Sequence, residues 1–410
     1  MDRILTTHTG SLTRAPEVLD FLAAMESGEA YDEAAYEQAL ATAVADVVRR
    51  QVEAGIDVVD DGEMGKASWI VYLYERVRGV EVRLVSLADG SVLPASRDRQ
   101  AFPEFYAQHD AEVARQFIWQ THRYGHDAEG ADAQDAVPRA AVWFCTGPLS
   151  YDDTAVRRDI ANLEAALEGV DVEGVFMPVV APASAYWLRN EHYESEEAFV
   201  YAVADVLHEE YKCIVDAGFL LQVDDAVLVH EYDSVLANGG TASDYRKWAE
   251  LRVEALIHAL RGIPEERVRY HICNGSWHGP HVYDPPLRDV IDLVLRVPAR
   301  YYLFEQANPR HEHEWRLWED VALPDGKVLV PGVVTHHTRV VEHPELVAER
   351  LVRLGNLVGR ENVMGGTDCG FAQGAFFERV HPSIQWAKLE ALAEGARIAS
   401  RELFGARATT

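Results

Sequence analysis

Short apolar runs rich in β-branched residues alternate along this chain with longer stretches in which apolar residues recur every three or four positions. The short runs have the length and composition of buried strands, and the longer stretches have the period of amphipathic helices. Nine segments are predicted as strands: 3–11, 56–63, 141–149, 174–184, 219–228, 268–276, 300–309, 328–337 and 362–371. Strands that alternate with helices in this way form a parallel sheet with crossover helices.

The helical stretches are best marked in the second half of the chain. The clearest ones are 33–55, 196–218, 244–262, 344–359 and a last one that starts at Pro382. Several end at Gly, which suits a left-handed helix cap, and two begin with Pro, which suits the first helical position. These signals make the alternation of strands and helices the main prediction about the fold.

Titratable and metal-binding side chains stand at the carboxyl ends of many predicted strands: Glu63, Asp224, His271 with Cys273, Glu305, His336 with His337, and Cys369. A (β/α)8 barrel assembles its active site from that end of all its strands, whereas an open doubly wound sheet gathers ligands at one switch point. We therefore predict an α/β fold, a (β/α)8 TIM-type barrel that forms a single catalytic domain over residues 1–410. Nine strands are one too many, and we expect 3–11 or 174–184 to be irregular or outside the barrel.

The stretch 66–140 is long for one connection between strands, and it contains the acidic, Ala- and Gly-rich run GHDAEGADAQDA. We interpret it as an insertion after the second strand that lies over the barrel mouth as a lid. A surface insertion without a role in the site is the alternative.

Composition and net charge narrow the classes of molecule that the chain is expected to bind. A chain of 410 residues with 48% apolar content can bury a large core, and its formal net charge of -29 argues against nucleic acid as a partner. No apolar stretch approaches the ~20 residues of a membrane helix, and the start MDRILTTHTGS has no signal-peptide pattern. Four scattered cysteines suit a reducing compartment, so we expect a cytoplasmic protein without a membrane partner. The oligomeric state stays open.

A sparse set of soft donors is the strongest chemical signal. His271 and Cys273 in RYHICNGS are two residues apart in a predicted strand, so their side chains share one face. Cys369 lies in MGGTDCGF, whose glycines permit close backbone approach. One imidazole and two thiolates form a zinc-type set with a fourth position left for a carboxylate, a water or a substrate atom. Buried apolar cysteines are the alternative.

Seven segments together resemble the catalytic barrel of cobalamin-independent methionine synthase and its relatives, which include the epoxyalkane:coenzyme M transferases. The segments are TTHTGSLTR, VVDDGEM, LQVDDA, HICNG, YLFEQANPRHEHEW, VPGVVTHH and GTDCGF, in that order. The resemblance implies a zinc site formed by His271, Cys273, Glu305 and Cys369. A surface role for Glu305 is the alternative.

The same resemblance assigns substrate contacts. It implies that Glu63 and Asp224 bind an amino-acid thiol through its ammonium group, and that Gly10 and Ser11 contact the same substrate. His337 takes the place of an acid/base histidine, although its neighbourhood departs from the synthases' pattern. Capping or internal ion pairing is the alternative for Glu63 and Asp224.

These observations predict a zinc-dependent thiol S-alkyltransferase that methylates homocysteine or a related small thiol. The alkyl donor, whether a methylated folate, a methylcorrinoid or an epoxide, stays open. The main alternative is an epoxyalkane:coenzyme M transferase, in which a thiolate opens an epoxide; it would need Arg or Lys donors for a sulfonate, and no spacing singles one out. Two further alternatives are a zinc hydrolase and a non-catalytic barrel in which zinc has only a structural role.

Overall fold

The computed structural model of the protein describes residues 2–86, 95–109, 139–185, 188–276, 278–376 and 379–405. The strands are β1 (Val58–Val59), β2 (Val77–Ser86), β3 (Arg139–Tyr151), β4 (Gly174–Val180), β5 (Leu188–Asn190), β6 (Leu220–Asp225), β7 (Val268–Ile272), β8 (Tyr301–Phe304), β9 (Val328–Val334) and β10 (Gly366–Thr367). The helices are α1 (Pro16–Ser27), α2 (Glu33–Glu53), α3 (Val71–Arg76), α4 (Arg97–Ala101), α5 (Thr154–Ala166), α6 (Glu196–Asp216), α7 (Ala226–Ala237), α8 (Ala242–Ala259), α9 (Ile291–Val294), α10 (Leu317–Asp320), α11 (Pro344–Val358) and α12 (Pro382–Phe404).

Seven strands form one parallel sheet in the order β1, β4, β6, β7, β8, β9, β10. Residues just before α1 close this sheet into a ring, because Thr7 bridges Val58 in β1 and Thr6 bridges Gly365 beside β10, both in parallel. The N-terminal segment thus fills the eighth strand position. The predicted α/β barrel is confirmed.

One detail of the predicted strand set is wrong. Segment 3–11 is irregular, as expected, because it joins the barrel only through isolated bridges at Thr6 and Thr7, and 174–184 contains the barrel strand β4. The predicted strand that lies outside the barrel is 141–149. This segment belongs to β3, which pairs with β2 in antiparallel and with β5 in parallel orientation in a separate sheet. An apolar run such as AVWFC signals burial, but it does not say which sheet buries it.

The small sheet is built from two connections of the barrel. β2 and β3 lie between β1 and α5, which is the connection after the second barrel strand, and β5 lies between β4 and α6. Connections that run from a strand to the next helix leave the carboxyl end of the barrel, where active sites of this fold form. Of the predicted insertion 66–140, residues 87–94 and 110–138 lie outside the described part of the chain, and the lid stays a prediction.

The helices start and end where local signals predict. Ser195 accepts a hydrogen bond from the Ala198 amide at the start of α6, and Thr241 forms a capping box with Asp244 at the start of α8. Both α11 and α12 begin with a proline, as the sequence indicates. Within the described residues, no helix is long and apolar enough to cross a bilayer.

A buried arginine inside the barrel fixes the N-terminal segment. The guanidinium of Arg269 donates to Thr7 Oγ1 at 2.9 Å, to the His8 carbonyl at 2.8 Å and to Gln222 Oε1 at 3.1 Å. It also lies 3.7 Å from the ring centroid of Phe176. Because a buried charge is stable only when its donors are paired, this network ties the TTHTG motif to two barrel strands. It thereby sets the position of the residues that follow.

Candidate metal centre and active site

Two strand ends bring one imidazole and two sulfurs together. His271 lies in β7, Cys273 follows that strand on the same face, and Cys369 follows β10. The ligand atoms of these three buried side chains lie within 4.8 Å of one another, and the two sulfurs are 3.8 Å apart. Donors of this kind at this spacing can converge on one zinc ion.

The imidazole of His271 has one nitrogen engaged and one without a partner. Nδ1 lies 2.8 Å from Asp224 Oδ1, whereas Nε2 is buried and has no hydrogen-bond partner within the described residues. A carboxylate on one ring nitrogen orients the ring and leaves the other nitrogen to bind a metal. A buried nitrogen without a partner costs free energy. Nε2 and the two sulfurs therefore fit the role of three ligands to one zinc ion.

Protonation of the cluster follows from its hydrogen bonds. Cys273 donates to the sulfur of Cys369, which lowers the pKa of Cys369 to about 7, and the same bond together with burial raises the pKa of Cys273 well above its ordinary value. Burial lowers the pKa of His271, but the bond to Asp224 and the charge on that carboxylate outweigh burial and raise the pKa to about 9. A divalent cation would replace the protons on His271 and Cys273.

Glu305, the fourth predicted ligand, lies next to the cluster but outside the three-donor group that the described residues form. Its Oε1 accepts a hydrogen bond from the Asn274 amide at 2.8 Å, and its Oε2 accepts one from Asn308 Nδ2, also at 2.8 Å. Burial raises its pKa, and its charge in turn raises the pKa of Cys273. Both carboxylate oxygens of Glu305 are therefore hydrogen-bonded within loops of the chain. The carboxylate lies close enough to the two sulfurs to influence their pKa values.

Asp368 connects the loop of Glu305 to the loop of Cys369. Its Oδ1 accepts hydrogen bonds from the amides of Gln306 and Ala307, each at 2.8 Å. A Cβ atom on Gly332 would lie 2.1 Å from the same oxygen, so only glycine fits at that position of β9. Asp368 directly precedes Cys369 in the chain. Its carboxylate thus fixes the backbone of the two residues that follow Glu305.

Gly10 and Ser11, two predicted substrate contacts, lie against the Cys369 loop. Gly10 has φ of 117°, and a Cβ atom there would approach Pro178 Cγ to 3.0 Å. The Ser11 carbonyl accepts from the Phe371 amide at 2.8 Å, and a Cβ atom on Gly370 would lie 2.1 Å from Ser11 Oγ. The turn is therefore at the edge of the metal cluster, and its contact with substrate stays a prediction.

Glu63, the first of the two predicted ammonium-binding carboxylates, already has a cation next to it. Its Oε1 accepts from Lys66 Nζ at 3.0 Å, and Lys66 also donates to the Pro178 carbonyl at 2.7 Å. Both side chains are 4% exposed, so water does not screen this pair. Asp224, the second, uses Oδ1 for His271 and for Gln222 Nε2. The contact between Lys66 and Glu63 depends on the turn over 61–66, so it could not be predicted from the presence of Lys66 in the sequence.

His337, the predicted acid/base group, is half-buried among other histidines. Its ring centroid lies 4.7 Å from that of His336 and 5.7 Å from that of His278. Burial, and then charge on His278, lower its pKa to about 4, so its imidazole is neutral at pH 7. His336 is buried as well, and neither of its ring nitrogens has a partner within the described residues. The sequence places His336 with His337 at the end of a predicted strand but assigns it no role.

The structure adds two polar residues that sequence reasoning missed. Gln373 Nε2 lies 3.7 Å from the sulfur of Cys369, and its Oε1 accepts from Nε of Arg379 at 3.2 Å. Burial lowers the pKa of Arg379, whereas charge on Cys369 and Cys273 raises it. The segment after Cys369 thus places a guanidinium within electrostatic reach of both sulfurs. Its sequence, FAQGAFFERV, carries no recognisable motif.

Comparison with known proteins adds a family likeness. Residues 4–103 match the family described as the catalytic domain of cobalamin-independent synthase. The methionine synthase of Sulfurisphaera tokodaii is 23% identical over 401 residues, 97% of this chain and 93% of that protein. The methionine synthase of Sulfolobus acidocaldarius is 23% identical over 373 residues, 89% of this chain and 85% of that protein. The resemblance predicted from the sequence is confirmed.

Solved structures support the fold in the same way. A B12-independent methionine synthase from Shewanella sp. W3-18-1, in complex with selenomethionine, superposes with a TM-score of 0.69 at 20% identity and covers 98% of this chain and 99% of that one. A B12-independent methionine synthase described as putative, from Listeria monocytogenes, gives a TM-score of 0.64 at 18% identity, with 97% and 98% covered. At these identities the likeness concerns the barrel architecture.

Proposed function

We propose that the protein is a zinc-dependent thiol S-alkyltransferase, and that it transfers a methyl group to homocysteine or a related thiol. The observation that carries this proposal is the buried cluster of His271, Cys273 and Cys369, with an imidazole nitrogen that no described residue satisfies. The predicted enzyme class, a transferase of the methionine-synthase type, is confirmed by the methionine synthases to which most of the chain is similar.

Zinc at this cluster would keep a coordinated thiol deprotonated at neutral pH and so supply a nucleophile. His271, Cys273 and Cys369 would hold the ion, and we propose Glu305 as the fourth donor. The chain contributes orientation: Asp224 fixes the imidazole, and the Gly275 amide donates to the Cys273 sulfur at 3.2 Å. Two thiolate donors suit transfer to a thiol better than hydrolysis, for which histidine and carboxylate donors are usual.

The substrate contacts in this proposal are Gly10, Ser11, Glu63 and Asp224, which lie around the cluster. A methylated folate or a methylcorrinoid would serve as methyl donor. His337 acts as the acid/base group; as a neutral imidazole at pH 7 it can accept a proton or donate its N–H to the departing group. The cytoplasm as the location also remains our proposal, supported by four cysteines that are all free.

A second candidate is the opening of an epoxide by coenzyme M, and Arg379 favours it. In that reaction the thiol sulfur bonds to an epoxide carbon, the carbon–oxygen bond breaks, and the alkoxide takes up a proton. The sulfonate needs a cationic partner, and the guanidinium of Arg379 lies within electrostatic reach of both sulfurs.

Metal analysis combined with zinc-edge X-ray absorption tests the proposal. We expect one zinc per chain with sulfur and nitrogen scatterers, and an additional sulfur scatterer when homocysteine is added. Zinc that keeps the same scatterers with homocysteine and with coenzyme M would contradict thiol activation. A sulfur gained only with coenzyme M would instead favour the second candidate.

A further inference from the structure

The histidine of the TTHTG segment is enclosed inside the barrel, and both of its ring nitrogens are hydrogen-bonded. His8 is 1% exposed, and its ring lies edge-on to Phe176 with centroids 5.5 Å apart. Its carbonyl accepts from Arg269 at 2.8 Å. Nε2 lies 2.7 Å from Gln51 Oε1, and Nδ1 lies 3.2 Å from the amide nitrogen of Gly10. The imidazole therefore joins helix α2 to the turn at Gly10.

The hydrogen bonds of Gln51 determine which ring nitrogen carries the proton. Gln51 Nε2 donates to the Val47 carbonyl at 3.2 Å and to the Asp60 carbonyl at 2.8 Å, and the Asp60 amide donates to Gln51 Oε1 at 3.0 Å. The opposite assignment of the amide would place an oxygen against two carbonyls, so this orientation is fixed. An oxygen needs a donor from the imidazole. Nε2 of His8 is therefore protonated, and Nδ1 accepts from Gly10.

The imidazole is neutral in this position. Burial lowers the pKa of His8 to about 4, against the hydrogen bond to Gln51, which raises it, and the charge of Arg269 lowers it as well. Asp60 Oδ1 lies 3.5 Å from Nε2, but this oxygen already accepts from the Gly62 amide at 2.8 Å. A neutral ring with one N–H and one bare nitrogen is the form that both bonds of His8 require.

The turn that His8 holds is confined on its other side by the loop of Cys369. Gly10 is buried and has φ of 117°, and the Ser11 carbonyl accepts from the Phe371 amide at 2.8 Å. A buried amide that lost its acceptor would cost free energy, and the turn would shift to find another partner. Because Ser11 follows Gly10 directly, such a shift would also move Ser11 relative to the loop of Cys369.

We propose that His8 is a positioning residue for the thiol substrate. Its imidazole is anchored on Gln51, holds the Gly10 amide and so sets where Gly10 and Ser11 meet the substrate. The Gly10 amide is then not a donor to the substrate, because its hydrogen bond is used by the ring. This inference rests on the proposed function, since it requires that a thiol binds at this turn beside the metal cluster.

Asparagine and glutamine each reproduce one of the two ring nitrogens. His8→Asn places an amide oxygen where Nδ1 lies, so it keeps an acceptor for Gly10 and loses the bond to Gln51. His8→Gln places an amide nitrogen where Nε2 lies, so it keeps the donor to Gln51 and leaves Gly10 without an acceptor. The two variants therefore break the two bonds separately, and each should lower the stability of the fold to a similar extent.

Calorimetric titration of the zinc-loaded full chain with homocysteine tests the proposal. We expect His8→Asn to bind homocysteine within about threefold of the parent, and His8→Gln to bind it at least about tenfold more weakly, as for the loss of one buried hydrogen bond. Zinc content should stay that of the parent in both variants, because neither change removes a zinc ligand. A role of His8 in folding alone would instead weaken homocysteine equally in both, and that result would overturn the inference.

His208→Gln is the matched control. His208 is half-buried in α6 among the outer helices, and its Nδ1 lies 2.8 Å from the Ala259 carbonyl. We expect this variant to keep the homocysteine affinity of the parent, and a tenfold loss in it would overturn the assignment to His8. If His8→Asn does not fold, His8→Gln decides alone: parental affinity would overturn the inference, and weaker binding at full zinc content would support it.

The same titrations distinguish failure of this inference from failure of the proposed function. If the zinc-loaded parent does not bind homocysteine, methyl transfer to homocysteine and the role of His8 fail together. If the parent and both His8 variants bind homocysteine equally tightly, thiol binding stands and only the role of His8 fails.

Discussion

Two sides of the barrel mouth differ in how far the chain satisfies its own polar groups. On the metal side, formed by His271, Cys273 and Cys369, a buried nitrogen lacks a partner and two sulfurs share a proton. On the acidic side, formed by Glu63 and Lys66, each charged group has its counterpart in the chain. Residue types alone mark both sides as binding groups. The structure shows that Glu63 and Lys66 balance each other's charge within the chain, whereas His271 on the metal side keeps a buried ring nitrogen without a partner among the described residues.

The acidic side is also firmly connected to the rest of the site. The buried guanidinium of Arg14 donates to the Leu12 and Ala372 carbonyls at 2.8 Å each and to the Lys66 carbonyl at 3.0 Å. It therefore joins the N-terminal segment, the turn of Lys66 and the loop after Cys369. We therefore expect that loss of a partner on the acidic side lowers the stability of the fold. Loss of a donor on the metal side should instead lower zinc binding and activity.

The largest effect is expected from the metal side. Cys369→Ser removes one of three soft donors, and we expect zinc content to fall well below one per chain and alkyl transfer to fall by at least about 1,000-fold. The zinc-free variant should unfold at the same urea concentration as the zinc-free parent, because serine is nearly isosteric. Zinc analysis, a thiol-alkylation assay and urea unfolding measure these three quantities.

Cys213→Ser is the control for this substitution. Cys213 lies in α6 and is half-buried, away from the cluster. We expect its replacement to leave zinc content and activity unchanged. If Cys369→Ser kept full zinc content, or if it unfolded the zinc-free chain, the contrast between the two sides would be wrong.

The next effect concerns the acidic side. Lys66→Met leaves Glu63 as a buried carboxylate without its cation, and we expect the free energy of unfolding to fall by about 3–5 kcal/mol. Glu63→Gln combined with Lys66→Met removes both charges and should restore most of that loss. Urea unfolding of the parent, the single variant and the double variant measures the difference. If the free energy of unfolding of the single variant fell by less than about 1 kcal/mol, the ion pair of Glu63 and Lys66 would not be what stabilises the acidic side.

The fold follows from the sequence to a large extent because its signals are local. Alternation of buried runs with helical periods, and prolines at the starts of α11 and α12, determine the elements and hence the barrel. The segment that forms β3 is predicted as a barrel strand but lies in the small sheet, because an apolar run indicates that a strand is buried and does not identify its neighbours. The prediction does not include β2, although the alternation in VEVRLV is typical of a strand with one exposed face.

The site was predictable only where residue type and spacing carry the information. The pair His271 and Cys273 is two residues apart on a strand, and that spacing alone places both on one face. The pairing of Glu63 with Lys66 and the approach of Arg379 to the sulfurs depend on turns and on contacts between distant loops. No periodicity in the sequence encodes such contacts, so the chemistry was easier to predict than the charges that surround it.

A third effect lies behind the metal side, where His311 supports the loop of Glu305. Its Nδ1 lies 3.0 Å from Glu314 Oε2 and its Nε2 lies 3.1 Å from Asp284 Oδ2. Burial lowers its pKa, but the two hydrogen bonds outweigh burial and raise the pKa to about 10. Because this exceeds the unfolded value of about 6.5, the stabilisation is complete below pH 6.5 and is lost as the pH rises through about 10.

We therefore expect the free energy of unfolding to fall between pH 6.5 and 10, by up to about 1.4 kcal/mol per pH unit. His311→Gln should flatten this part of the stability profile. His313→Gln is the control, because His313 is exposed two residues further along the chain. Urea unfolding at several pH values provides the measurement. Parallel profiles for the parent and His311→Gln would contradict the role of this histidine.

The smallest effect tests how the metal side is oriented. Asp224→Asn keeps the shape of the side chain but removes the charge that holds the His271 ring, and we expect zinc affinity to fall by about 10- to 100-fold. The metal side would still have its three donors, so zinc should remain bound at saturating concentration. Competition with a chromophoric chelator measures the affinity.

Asp205→Asn is the matched control, because Asp205 forms the same kind of pair with His258, at 2.8 Å, on the protein surface. A surface pair is weak, so we expect this variant to keep the zinc affinity of the parent. If Asp224→Asn also kept it, Asp224 would not orient the imidazole and would be left to act on the substrate alone. A loss of affinity only in Asp224→Asn would assign this carboxylate to the metal side, and Glu63 would then be the only one of the two predicted ammonium-binding carboxylates outside that side.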